Sequence, residues 1–244
     1  MIRFLAGFEP SQVTGTTLQL RPGTAANSSG SEVIAKTDVT NINIAAVGAL
    51  GRDTSAALAE NEDWFVYLIK NDSTGALSAV LSKAISYGSV AVPSGYTMFR
   101  KLPFGFVYRS VWGGIPEFHC AHWPSPMISY TDFQSNGNFT ALNQGAAKAW
   151  SPVSVGAFVP DNARFVWFEA EVFYGSSAGS AYLTESPGTE LTGMFVGSST
   201  PAATLRALRT VPHRINSARQ IFYKVTGGAR LSLRVRAYCM TEPS

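Results

Sequence analysis

Residues Asn71–Arg109 read NDSTGALSAVLSKAISYGSVAVPSGYTMFRKLPFGFVYR. The stretch decides the fold class, because it alternates short extended runs with turn signals and holds no helical periodicity. NDSTG (71–75) turns the chain, and LSAVLS (Leu77–Ser82) follows as a return strand, giving a hairpin with a five-residue loop. VPSGY is a second turn, with Pro93 expected at its second position, where its fixed φ already fits, and Gly95 at its fourth. From Tyr96 onward, YTMFRKLPFGFVYRSVW returns to extended structure.

The pattern continues outward on both sides. WFVYLIK (Trp64–Lys70) is apolar at every position, as expected of a strand covered on both faces. TTLQLRPG (Thr16–Gly23) alternates and stops at Pro-Gly, and TNINIAA (Thr40–Ala46) sets Ile42 and Ile44 against Asn41 and Asn43. Further on, GNFTALN (137–143), SPVSVGAFVP (Ser151–Pro160) and RFVWFEAEVFYG (164–175) predict strands. IFYKVTGGARLSLRVRAY (Ile221–Tyr238) predicts two more around Thr226–Ala229. Two segments suit helices: DTSAALAENED (Asp53–Asp63), Ala-rich with an Asp to cap it, and TPAATLRALRTV (200–211), where Leu205 and Leu208 would share a face. Strands about every ten residues, punctuated by Gly and Pro, make the class all-β: a small N-terminal β-domain of hairpins over residues 1–110 and a jelly-roll-like β-sandwich over 111–244.

The 244 residues are 45% hydrophobic and 14% charged, against about 25% charged in an ordinary soluble domain. Such a chain buries a core rather than remaining disordered, and a surface so poor in charge suits cover by partners. The net charge is +3, and Pro201–Arg236 holds eight Lys or Arg and no acid. A nucleic-acid surface is one reading of that run. The alternation of Arg230, Arg234 and Arg236 with Leu231, Leu233, Val235 and Ala237 favours a strand with its charged face outward. No nucleic-acid partner is therefore expected. MIRFLAGFEP is too short an apolar run for a signal peptide, and no stretch reaches 18 apolar residues, so membrane insertion is not expected either. Cys120 and Cys239 leave one disulfide open, which spacing alone does not establish, and buried free thiols are the expectation, as suits assembly in a reducing cytoplasm.

Chemistry is sparse. His119, Cys120 and His122, with Glu117 or Cys239, contain metal-ligand residue types, but two histidines three apart on a strand face opposite ways. No CxxC or HExxH accompanies them, so no metal is expected and the cluster reads as packing beside Trp112 and Trp123. Glu169 and Glu171 share a strand face with Cβ atoms about 7 Å apart. A retaining glycosidase sets its carboxyl groups about 5 Å apart, yet Glu-x-Glu on a solvent-facing strand is commonplace. The sequence has no nucleophile elbow and no phosphate-binding loop. The expectation is a protein that is not an enzyme, with no catalytic, cofactor-binding or metal-binding residue and no cofactor. The aromatics are another matter: Tyr87, Tyr96, Phe104, Phe106 and Tyr108 crowd one span, while Phe165, Trp167 and Phe173 share a face with the two glutamates. Aromatic surface suits subunit interfaces and sugar rings alike.

TTLQLRPGTA, ALAENEDWFVYLIKNDSTGALSAVLS and VPSGYTMFRKL, spread over Thr16–Val107, resemble a module of tailed-bacteriophage virion proteins, especially tail-fibre and tail-associated proteins. In that module a strand ending in Pro-Gly precedes an aromatic-x-Tyr-Leu-Ile strand, a Thr-Gly turn, a Leu-x-Ser strand and a Pro-x-Gly-Tyr turn into an Arg-bearing strand. The second half is similar to the jelly-roll sandwiches such proteins carry. The resemblance implies a structural virion component, a short tail fibre or tail-associated protein, assembled in the host cytoplasm. It implies a homo-oligomer, a trimer, contacting other virion proteins and a host-surface glycan. Capsid decoration, carbohydrate binding and glycan hydrolysis are the alternatives. No collagen-like or heptad repeat occurs, which excludes a long fibrous shaft.

Overall fold

The computed structural model describes residues 5–121, 127–131, 139–173, 179–187, 194–199 and 207–240. Its described residues are strands joined by turns, with two short 3-10 turns at Tyr87–Ser89 and Ser110–Trp112. The chain forms two compact units, Met1–Thr131 with Met240–Ser244, and Asp132–Cys239. The division thus falls after the 110/111 boundary drawn from the sequence. Residues 111–131 belong with the first unit because Ile115 N donates to Gly15 O at 2.7 Å and Gln12 Nε2 donates to Ile115 O at 3.3 Å.

In the first unit, β1 (Leu5–Gly7), β4 (Gly23–Ala26) and β5 (Val33–Lys36) make one antiparallel sheet in the order β1-β4-β5. A second runs β2-β3-β6 from β2 (Pro10–Thr14), β3 (Thr17–Leu20) and β6 (Thr40–Asn43). Thr40 and Ile42 are buried and Asn41 and Asn43 exposed, as the alternation predicts.

The opening stretch builds the third sheet, in the order β8-β7-β9, from β7 (Glu62–Asn71), β8 (Leu77–Ser82) and β9 (Tyr96–Tyr108). Every residue of Trp64–Ile69 is buried within the single chain. Its apolarity on both faces therefore needs no second subunit to cover it. The β7–β8 loop closes because Asn71 Oδ1 accepts from Ser73 N at 3.0 Å and Thr74 N at 2.9 Å, while Gly75 takes a φ of 71°. The Pro93 turn is shifted by one residue from expectation. Tyr96 N donates to Pro93 O, so Pro93 heads the turn and Gly95 is its third residue, at φ 78°, where glycine carries no steric cost. Pro103, which lacks an N–H, sits where the β7–β9 register slips, between the Phe65↔Gly105 and Tyr67↔Lys101 pairs of the edge strand. A hairpin of β10 (Phe118–Ala121) and β11 (Met127–Tyr130) ends the unit.

The segment expected as a helix at Asp53–Asp63 is irregular up to Glu62. Arg52 Nη1 donates to Ala56 O, Thr54 Oγ1 accepts from Ala56 N, and Glu62 Oε2 accepts from Ala59 N. These local bonds compete with helical ones, and Ser55–Ala57 stay exposed, so a helix would bury no face.

Among the described residues the second unit contains eight strands: β12 (Thr140–Gly145), β13 (Ser151–Ser154), β14 (Ala163–Phe173), β15 (Gly179–Thr184), β16 (Met194–Ser199), β17 (Ala207–Arg214), β18 (Gln220–Val225) and β19 (Arg230–Met240). One sheet carries β12, β19, β14 and β17 in that order, and the other β13, β18, β15 and β16. Lettered B to I along the chain these are B-I-D-G and C-H-E-F, the strand order of a jelly roll. The expected all-β class with a jelly-roll-like sandwich is therefore what the chain adopts. Val166, Phe168, Ala170 and Val172 of β14 and Leu231, Leu233, Val235 and Ala237 of β19 are buried, as are Ile221, Tyr223 and Val225 of β18. The second predicted helix is displaced: Ala207–Arg214 is a strand paired with β14, and residues 200–206 lie outside the described residues. The strand expected to run to Pro160 stops at Ser154.

Candidate functional site

On β14 from Val166 onward, the even-numbered residues face the sandwich interior and the odd-numbered residues point the other way. The opposite face carries Phe165, which is 44% exposed, then half-buried Trp167, Glu169, Glu171 and half-buried Phe173. The expectation of two solvated glutamates is overturned, since Glu169 is 5% and Glu171 6% exposed. Arg234 on β19 explains how they are accommodated. Its Nη1 lies 3.0 Å from Glu169 Oε1 and its Nη2 3.8 Å from Glu171 Oε2. One strand away, Arg236 Nη1 donates to Thr210 Oγ1 at 3.1 Å, and Arg230 Nη1 donates to Gln144 Oε1 at 3.2 Å. The basic run therefore ties β19 to β12, β14 and β17 through their outward face, as its alternation with buried aliphatics predicts. The guanidinium also lies between the carboxylates, where a scissile glycosidic oxygen would have to sit.

The Glu117–His122 cluster does not converge among the described residues. Glu117 and His119 are exposed, while Cys120, the next residue on β10, points the other way and is half-buried. No group of three His, Cys, Asp or Glu side chains comes together among the described residues, and His122 and Trp123 lie outside them. The cluster's packing is aromatic: Phe118 meets Phe104 at 5.2 Å and Tyr130 meets Trp112 at 5.9 Å between ring centroids. Cys120 and Cys239 are free thiols, half-buried rather than buried. Burial, with the Glu9 carboxylate adding to it, pushes the Cys120 thiol up to about 12, so it stays protonated and inert.

The crowded aromatic span is mostly core. Phe104 and Phe106 are buried, Tyr96 and Tyr108 half-buried, and Tyr87 is the exposed member. The sequence reading did not single out Lys101 in this span, although it stands inside the buried run of β9 and is itself only 7% exposed. Its Nζ lies 4.1 Å from the centre of the Phe65 ring and 5.6 Å from that of Tyr67, and donates to Ile85 O at 2.7 Å. The available signal was the lysine inside Phe99–Phe106, a run that is apolar apart from Arg100 and Lys101.

No protein-family model matches the chain, and no curated protein matches it. Among solved structures, the infectious bursal disease virus VP2 subviral particle is similar to it at 12% identity, over 97% of this chain and 68% of that one, with a TM-score of 0.23. That score is below the level of a shared fold, and no conclusion about this chain rests on it.

Proposed function

We propose that the chain is a structural component of a bacteriophage virion, a short tail fibre or tail-associated protein that assembles with other virion proteins. One observation supports this reading most directly: two of the three stretches that resemble the phage module share a sheet, and the residues that directly follow the other stretch are bonded to it. Two of them supply the β8-β7-β9 sheet. Arg100, in the Arg-bearing strand, donates to Ala26 O at 3.2 Å, one residue beyond the Pro-Gly stretch, and Ser28 N donates to Phe99 O at 3.1 Å. The elements of the resemblance thus form a physical unit and not merely an order in sequence. The Arg234 guanidinium filling the gap between Glu169 and Glu171 supports a non-enzymatic role.

The test is mass spectrometry of purified particles from a phage carrying the gene, followed by imaging of those particles. Presence at the tail at stoichiometric copy number is expected, with light scattering of the purified protein giving a trimer. Density on the capsid surface would replace the tail assignment with a decorating one, and absence from particles would end the proposal. Phe165, exposed beside half-buried Trp167, favours glycan recognition as a second role. Absence of host-polysaccharide binding would remove that role, and binding that survives Phe165→Ala would remove Phe165 from it.

A further inference from the structure

The connection from β8 to β9, residues 83–95, lies over the β8-β7-β9 sheet with little apolar anchoring. No residue of its Tyr87–Ser89 turn is buried, and Ile85 is 49% exposed. Polar groups hold it instead. Tyr67 Oη donates to Ala84 O at 2.6 Å and to Ile85 O at 3.1 Å, and Lys101 Nζ donates to Ile85 O at 2.7 Å. Tyr67 and Lys101 are cross-strand partners of β7 and β9, so the two donors rise side by side from one face. Ser82 Oγ accepts from Ala84 N at 3.0 Å, Tyr87 Oη donates to Met98 O at 2.8 Å, and Asp53 Oδ2 accepts from Ala91 N at 3.4 Å. Among the described residues, no carboxylate pairs with Lys101; its neighbours are two aromatic rings and one carbonyl.

We infer that residues 84–91 form a strap, latched by Tyr67 and the Lys101 ammonium, that opens as a unit to hydrate Lys101 and uncover the Phe65 and Tyr67 rings. The two states of the strap differ in the solvation of one charge. Closed, the ammonium is stripped of water, which lowers its proton affinity to about 8 from the ordinary 10.5. Open, it is hydrated and titrates normally. Opening therefore takes up a proton between about pH 8 and 10.5. The open fraction is constant below about pH 8 and falls by about tenfold per pH unit above it. The other titratable groups around the latch act differently. Tyr67 stays a phenol, because burial and the Asp53 charge push it above its usual value. Asp53 accepts from Ala91 N, Tyr87 ties its own turn to Met98 O of β9, and β8 contributes no ionisable side chain.

Chymotrypsin cleavage after Tyr87 reports opening, with rates normalised to a free peptide of residues 80–95 at each pH. For the full chain the normalised rate is expected to be level from pH 7 to 8 and about thirtyfold lower by pH 9.5. Lys101→Met and Lys101→Arg, one never charged and one always charged, should both lose this dependence. Tyr67→Phe should be cut faster at every pH with the wild-type slope. A flat wild-type profile overturns the inference, and so does a slope that persists in either Lys101 variant.

Discussion

Arg234 Nη1 stands 3.0 Å from Glu169 Oε1, an ion pair between β19 and β14 in which the carboxylate is nearly buried and the guanidinium is one-third exposed. Because Arg234 also reaches Glu171, removing it takes a cationic partner from two nearly buried carboxylates at once. Exposed pairs contribute about 0–1 kcal/mol, and breaking a fully buried pair costs about 3–5 kcal/mol. Arg234→Met is therefore expected to lower stability by about 2 kcal/mol, and Glu169→Gln by about 1 kcal/mol. Urea unfolding of the two variants checks this; a loss under about 0.5 kcal/mol for Arg234→Met would show that the clamp contributes nothing.

Cys120 gives a chemical readout of packing. With an ordinary value of 9.0 and a folded value of about 12, the folded thiol at pH 8.5 holds about a thousandfold less thiolate than the unfolded one. In a Cys239→Ser background, iodoacetamide should alkylate Cys120 slowly in buffer and rapidly in urea. The sign of the linkage follows. A folded value raised above the unfolded one stabilises fully below about pH 9, and that contribution is lost as pH rises toward 12. Cys120→Ala should accordingly lose less stability than the wild type over that range.

Two glycines separate steric from conformational cost. A Cβ on Gly105 would come within 2.6 Å of the Phe65 ring and 2.8 Å of Trp64 O. Gly105→Ala is expected to cost about 1–3 kcal/mol by overpacking the third sheet. Gly75 has open space around it but a φ of 71°, so Gly75→Ala should cost about 1 kcal/mol and Gly75→Asn less. Thermal melts of the three variants check the order; Gly75→Ala exceeding Gly105→Ala would refute it.

Much of the fold was legible because period-two patterning is local. Alternation over Thr40–Asn43 translated directly into buried and exposed faces, and over Arg230–Ala237 it did so except at Ser232, which is buried. The helix expected at Asp53–Asp63 failed because intrinsic propensity is weak beside side-chain acceptors such as Thr54 and Glu62 that capture the backbone. The burial of Glu169 and Glu171 was not legible, since it depends on Arg234, far along the chain. Lys101 was passed over for a related reason. Its importance comes from the Ile85 carbonyl above it and the Phe65 ring below, neither of which strand periodicity reveals.

The jelly roll places its first strand beside its eighth: Thr140 pairs with Arg234, and Gln144 N donates to Ser232 Oγ across 88 residues. During synthesis the apolar faces of β12 and β14 therefore emerge well before β19 arrives to complete their sheet. Closing so long a loop is entropically slow. The second unit thus passes through an interval with β12 unpaired and adhesive, in which a neighbouring copy could supply the missing strand. In this molecule, the order in which strands leave the ribosome sets the window for misassembly.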